Sequence, residues 1–313
     1  MDLTPLLDDR LVLVTGKGGT GKTTFAAALA ALQAARGRRT LLCEVDSQRP
    51  ALDPLVGREV TFAPVRVADR LEAANLVWPE TLVAWLKRMV GMERIVRAIL
   101  GNDMVQRFLD FVPGSQELVT LSAIAEHVER YDCVVVDLPA SGHAFSLLDI
   151  TRSALGLFRA GPVRERVLQL RTVLEDPRTR MFLVALPEEM VVNETLETLA
   201  RLREHALLGG SPVVVLNRAI PPSLTDDERT LLERLSAAGL VGDAEEFLEA
   251  GRWERASEEA VAEAAFRLGQ VLGVPPVLVP PAPAAGRERD VMRHVAVQLG
   301  RHMGVPRQEL AWI

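Results

Sequence analysis

Apolar residues in this chain gather into short, nearly unbroken runs instead of alternating with polar ones. Leu11–Thr15 (LVLVT), Thr40–Asp46 (TLLCEVD), Tyr131–Asp137 (YDCVVVD), Met181–Leu186 (MFLVAL) and Pro212–Asn217 (PVVVLN) are five such runs, and Val277–Val279 is a weaker sixth. Strands that carry apolar side chains on both sides are covered on both faces, so the pattern predicts a mostly parallel sheet between helical layers. The stretches between them read as helix: alanine-rich Lys22–Arg36, Ala68–Phe111, Asp149–Arg180, the charged and alanine-rich Thr225–Val271, and Glu288–Gly304 after the proline-rich Val274–Ala285. No internal repeat and no low-complexity tract divides the chain. The expectation is one α/β domain over residues 1–313, with helical insertions at about 68–112 and 149–180.

Composition narrows the class. The chain is 48% hydrophobic and 25% charged, and no run approaches the roughly 18 consecutive apolar residues of a membrane span. Its first residues, MDLTPLLDDR, are acidic and lack the basic start and apolar stretch of a secretory signal. A cytoplasmic chain is expected, in contact with membrane only indirectly. A net charge of −6 is not the clustered positive charge that binds nucleic acid, so no nucleic-acid partner is expected. Cys43 and Cys133 each sit inside a strand-like run, and no C-x-x-C pair offers a zinc or iron–sulfur site. The histidines at 127, 205, 294 and 302 show no metal-ligand spacing.

Lysine usage is the sharper signal. Of 36 basic residues 33 are arginine, and the three lysines are Lys17, Lys22 and Lys87. Two of the three lie five residues apart in one glycine-rich loop, where a compact ammonium fits a crowded phosphate site better than a planar guanidinium. That loop, Gly16-Lys17-Gly18-Gly19-Thr20-Gly21-Lys22-Thr23, satisfies G-x-x-x-x-G-K-[ST] between a strand and a helix. Its backbone N–H groups and helix N-terminus suit phosphates, Lys22 would reach the β- and γ-phosphates, and the Thr23 hydroxyl would hold Mg²⁺, with Thr24 completing the loop. The expected ligands are therefore ATP or ADP and Mg²⁺. Two further acids, Asp46 and Asp137, end strands beside this loop. Carboxylates there position water or hold Mg²⁺ through water, although a strand-end aspartate also serves as a helix cap.

Lys17 can project past the nucleotide toward phosphates held by a second subunit, as an arginine finger does, or remain a solvated loop cation. With K-G-G-x-G-K-[ST] around it, the sequence resembles the deviant P-loop group, which includes the MinD and ParA positioning ATPases, nitrogenase iron protein and the ArsA/Get-type ATPases. Further segments narrow the resemblance to the ArsA/Get-type family. The family's S-T-D-P-A-H-N is echoed at Asp46 and departed from at Ser47-Gln48-Arg49-Pro50; its D-T-A-P-T-G-H-T is matched by Asp137-Leu138-Pro139-Ala140-Ser141-Gly142-His143-Ala144 with the proline displaced by one. Pro113-Gly114-Ser115-Gln116-Glu117 is similar to P-G-I-D-E, and Leu186-Pro187-Glu188-Glu189 with Asn193-Glu194-Thr195 to T-P-E-x-x-S-x-x-E-T.

That resemblance implies a P-loop NTPase fold and an ATPase closing as a dimer. It also implies site roles: Asp46 activating water, Asp137 on the Mg²⁺ side with Thr23 and Asp46, Lys17 acting across the dimer, Gly142-His143 sensing the γ-phosphate, Asn217 reading adenine, and the loop near Pro280 covering the base. The partner is expected to be a second copy or a related ATPase subunit, and the role a nucleotide-driven switch for a membrane-protein or other hydrophobic client. Trp78, Trp85, Met89, Met92, Met104 and Phe108 would line a client groove or else pack against the sheet. The alternatives are a subunit of a heterodimeric anion-transport ATPase and a MinD/ParA-like organiser. Arsenite binding calls for accessible thiolates, and the tail Arg301–Ile313 is short and weakly basic for a membrane anchor.

Overall fold

The computed structural model describes residues 4–45, 47, 50–90, 114–205, 207–238, 243–283, 286–306 and 308. Its strands are β1 (Leu11–Thr15), β2 (Thr40–Val45), β3 (Val65–Ala68), β4 (Leu71–Leu76), β5 (Cys133–Asp137), β6 (Thr179–Ala185), β7 (Val213–Asn217) and β8 (Val277–Val279). They form a single sheet in the order β3-β4-β2-β5-β1-β6-β7-β8, parallel throughout except for the antiparallel edge strand β3. The six strand-like runs of the sequence are all strands, and the α/β P-loop NTPase fold class holds.

Alternation within each strand feeds two cores. Leu11 and Leu13 of β1 face one layer, and Val12 and Val14 face the other. The first layer holds α4 (Ser115–Arg130), α5 (Ser141–Leu157), α6 (Pro162–Leu174), α7 (Glu189–His205) and the long α9 (Asp243–Leu272). The second holds α1 (Lys22–Ala35) and α10 (Glu288–His302). Every residue of α1 from Phe25 to Ala34 is buried. Alanine makes this possible, because it is the strongest helix former and lets the backbone approach both the sheet and α10 closely. Short α2 (Asp53–Val56), α3 (Trp78–Val90) and α8 (Asp226–Ala237) complete the described helices, α8 opening with a Thr225/Glu228 capping box.

The sequence expectation fails at one edge. Ala68–Leu76 was expected to be helical, yet Leu71–Leu76 pairs in parallel with β2 and turns back onto β3 through Arg70, whose φ is 54°. LEAANL has helix-forming residues, but it lies almost wholly buried at the sheet's flank, where pairing outweighs local propensity. Helix begins only at Trp78. The stretch expected as helix over 149–180 divides differently as well: α5 starts earlier, at Ser141, a break at Gly161 (φ 94°) separates it from α6, and residues 179–180 open β6.

Of the aromatic and methionine residues proposed for a groove, Trp78 and Trp85 pack on a small cluster of Leu82, Leu86 and Val119 between α3 and α4. Met92, Met104 and Phe108 lie outside the described residues. No helix among the described residues is long and apolar enough to cross a membrane.

Candidate functional site

Three parallel strands, β2, β5 and β1, end side by side, and the loops leaving them converge at the carboxyl edge of the sheet, where open α/β folds hold ligands. The loop after β1 must pass close to β6. A Cβ on Gly16, whose φ is 147°, would meet the Val184 carbonyl oxygen at 2.1 Å, so only glycine fits. Gly21 precedes α1 at φ 89°, and a Cβ there would meet the Asn217 amide at 2.6 Å. Between them the loop is tied to itself: the Thr20 hydroxyl donates to the Lys17 carbonyl at 2.8 Å and Lys22 Nζ donates to the same oxygen at 3.2 Å.

Thr23, in the first turn of α1, donates its hydroxyl to Asp137 Oδ2 at 2.6 Å. The other carboxylate oxygen of Asp137 is buried and has no hydrogen-bond partner. Burial pushes the Asp137 carboxyl up to about 6, with the neighbouring Glu44 carboxylate adding to the rise while the Thr23 bond and Lys22 oppose it. A cavity of about 480 Å³ opens here, lined by Lys22, Thr23, Glu44, Asp137 and, from the far wall, Trp78, Gln116, Glu117 and His143. The loop after β5 is joined to β1 by Thr15 Oγ1 donating to the Pro139 carbonyl at 2.7 Å and by the Leu138 N–H donating to the Val14 carbonyl at 2.8 Å. His143 stands exposed in the first turn of α5.

On the far side of the glycine loop a second cavity, about 280 Å³, is lined by Gly21, Thr24, Phe25, Asn217, Arg218, Pro280 and Pro281. The Asn217 Nδ2 donates to the Thr20 carbonyl at 2.8 Å, and its Oδ1 accepts from the Arg218 N–H at 3.0 Å. Asn217 thus braces the glycine loop against the end of β7. Arg218, in a left-handed conformation at φ 55°, is part of this wall.

The structure therefore gathers Lys22, Thr23 and Asp137 at one cavity and Thr24, Asn217 and Pro280 at the next, with the Gly16–Gly21 loop between. Lys17 turns elsewhere. Its ammonium lies 3.7 Å from Glu194 Oε2 in α7, and Glu194 Oε1 accepts the Ser141 hydroxyl at 2.6 Å. Asp46 lies outside the described residues, as do Gln48 and Arg49. Among the described residues no cluster of three or more His, Cys, Asp or Glu side chains is arranged around a metal position. Glu44, Asn75, Glu194 and Arg218 were not singled out for a role by sequence: Glu44 sits inside an apolar run and Asn75 in a segment expected as helix, so only pairing in the sheet reveals them.

Residues 9–159 match the family described as anion-transporting ATPase. ATPase BagA of Mycobacterium tuberculosis is 33% identical over 228 residues, which is 69% of this chain and 66% of that protein, so the chain spans slightly under two thirds of its length. The arsenical pump-driving ATPase of Acidiphilium multivorum is 26% identical over 235 residues, 66% of this chain and 39% of the pump ATPase. ATPase GET3C of Arabidopsis thaliana is 24% identical over 286 residues, 74% and 72% respectively.

Proposed function

Because the chain is related to the anion-transporting ATPases through residues 9–159, we propose that it binds ATP with Mg²⁺ across the two adjoining cavities and hydrolyses it as a dimer. One observation carries the reading: behind the glycine loop, the Thr23 hydroxyl and a buried Asp137 with an unpartnered oxygen sit beside Lys22. Hard oxygen donors of this kind suit Mg²⁺, which takes one or two carboxylates and leaves its other positions to phosphate and water. When bound, the ion would offset phosphate charge. Lys22 would pair with the β- and γ-phosphates, the Gly16–Gly21 backbone would cradle them, and Asn217, Arg218 and Pro280 would enclose the base. Asp46, one residue past the end of β2, would orient the attacking water.

The chain acts in this reading as one domain of the cytoplasm, paired with a second copy or a related subunit, and couples nucleotide turnover to a hydrophobic client. Large apolar side chains stand exposed on α5, α7 and α9, among them Leu157, Met190, Phe247 and Trp253, which supports such a surface. Arsenite is a poor cargo for this chain. Cys43 and Cys133 are fully buried, burial raises both thiols, Cys133 to about 12, and the two belong to opposite faces of the sheet. Lys22→Ala tests the nucleotide reading: calorimetry is expected to show tight Mg·ATP binding in the wild type and none in the variant, and equal affinity in the two proteins would sink it.

A further inference from the structure

The chain leaving β2 is fastened at two points by buried polar side chains of the sheet. Asn75 in β4 accepts the Ser47 N–H through Oδ1 at 3.4 Å and donates from Nδ2 to the Ser47 carbonyl at 2.7 Å. Glu44 in β2 accepts the Ala51 N–H with Oε1 at 3.1 Å and the Leu52 N–H with Oε2 at 3.3 Å. Asn75 is 4% and Glu44 7% exposed. Glu44 also stands in register beside Asp137 on the neighbouring strand and lines the same cavity as Lys22 and Thr23.

Two acids buried side by side are costly, and burial holds the Glu44 carboxyl above its ordinary range despite the two N–H groups it accepts. An apolar residue would fill this strand position more cheaply. What a carboxylate adds is reach and two acceptor oxygens, enough to satisfy two consecutive backbone N–H groups on the far side of the loop. In the pattern S-T-D-P-A-H-N this chain reads Glu44-Val45-Asp46-Ser47, so the carboxylate arrives together with the loss of the proline that would stiffen the loop directly after the aspartate.

We infer that Glu44 and Asn75 are positioning residues for ATP hydrolysis, holding Ser47, Ala51 and Leu52 in fixed register against the phosphate cavity. The inference rests on the ATPase reading above. Neither residue need touch the substrate. Ser47 itself lines the cavity with Lys22 and Thr23, so losing its tie to Asn75, or the tie of Ala51 and Leu52 to Glu44, shifts a wall of the phosphate site, and misplacements of about 1 Å cost roughly 100-fold in rate.

Two variants and two measurements test this. Glu44→Gln removes one of the two acceptors, and Asn75→Ala removes the Ser47 bonds from a different strand, so failure of one variant to fold leaves the other informative. Both are expected to lower kcat by about 10- to 100-fold while leaving the Kd for Mg·ATP within about threefold. Hydrogen exchange at the Ala51 and Leu52 amides is expected to quicken in Glu44→Gln while the amides of β1 and α1 keep their wild-type protection, a pattern that general destabilisation would not give. Unchanged exchange at Ala51 and Leu52 in Glu44→Gln, or unchanged kcat in both variants, would overturn the inference. A wild type that binds no Mg·ATP would overturn the ATPase reading instead, and that result is read from the wild type alone.

Discussion

On one face of the sheet a single alanine-rich helix, α1, lies with ten consecutive residues buried between the strands and α10. On the other face five helices share the cover, and their large apolar side chains are not all used: Leu157, Leu168, Met190, Phe247, Trp253 and Phe266 stand exposed on α5, α6, α7 and α9. Nothing of that size is exposed on α1 or α10 among the described residues. The contrast separates two tasks. The glycine loop runs straight into α1, so in the proposed function the phosphate-binding groups hang from a helix buried over ten consecutive residues, whereas the loop after β5 runs into α5, on the face with apolar surface to spare. In the proposed function, a signal from the phosphates to a partner would travel through that second face.

The largest effect expected from breaking this contrast is on the tight side. Leu32→Ala in α1 removes a fully buried side chain from a wedge with little room to collapse, and should cost about 2 to 5 kcal/mol, read from the urea midpoint. A cost well below 1 kcal/mol would mean that α1 is no better held than its counterparts. The second face has a polar weak point in His127 of α4. Burial holds its imidazole down to about 4, with Arg130 and Arg88 adding repulsion, and its Nδ1 is buried without a partner. A histidine kept neutral in the folded chain gives stability that is complete above the ordinary value near 6.5 and is lost as pH falls toward 4, because the unfolded chain takes up the proton first. The loss should reach about 3 kcal/mol, and His127→Gln should flatten this part of the stability profile. An unchanged profile would place the acid sensitivity elsewhere. The smallest effect sharpens the comparison: Phe247→Ala and Trp253→Ala, at residues 76% and 66% exposed, should each change stability by no more than about 0.5 kcal/mol. A loss of several times that would show that these side chains are packed in the protein as it exists in solution.

Much of this was legible in the sequence, and the reasons are local. β1, β5, β6 and β7 announce themselves as valine- and leucine-rich runs, and the loop after β1 is marked by glycines at positions where a Cβ collides, as Gly16 does with Val184. Thr23 and Asp137 were joined in advance through the ArsA/Get-type resemblance, which puts both on the Mg²⁺ side; by position alone a strand-end aspartate is as well suited to capping a helix. What stayed hidden depends on neighbours distant in sequence. LEAANL becomes a strand only because β2 lies beside it, and Asn75 and Glu44 acquire a task only when β4 and β2 bring them to the same loop. Glu194 was visible as part of a matched segment, but its pairing with Lys17 across 177 positions follows from the packing of α7 beside the glycine loop.

That pairing leads to the central test. Lys17 belongs to the loop rooted in α1, and Glu194 to α7 on the other face, with Ser141 at the start of α5 as a third member. A half-exposed ion pair of this kind contributes little, roughly 1 kcal/mol or less, so phosphates held by a second subunit could take the ammonium from it readily. The deciding measurement is sedimentation of the wild type and Lys17→Ala with and without a non-hydrolysable ATP analogue, alongside turnover. The account predicts that the analogue converts the wild type from monomer to dimer, and that Lys17→Ala binds the analogue with near wild-type affinity yet stays monomeric and hydrolyses ATP poorly. A wild type that remains monomeric with the analogue while hydrolysing ATP at a rate indifferent to Lys17 would contradict it.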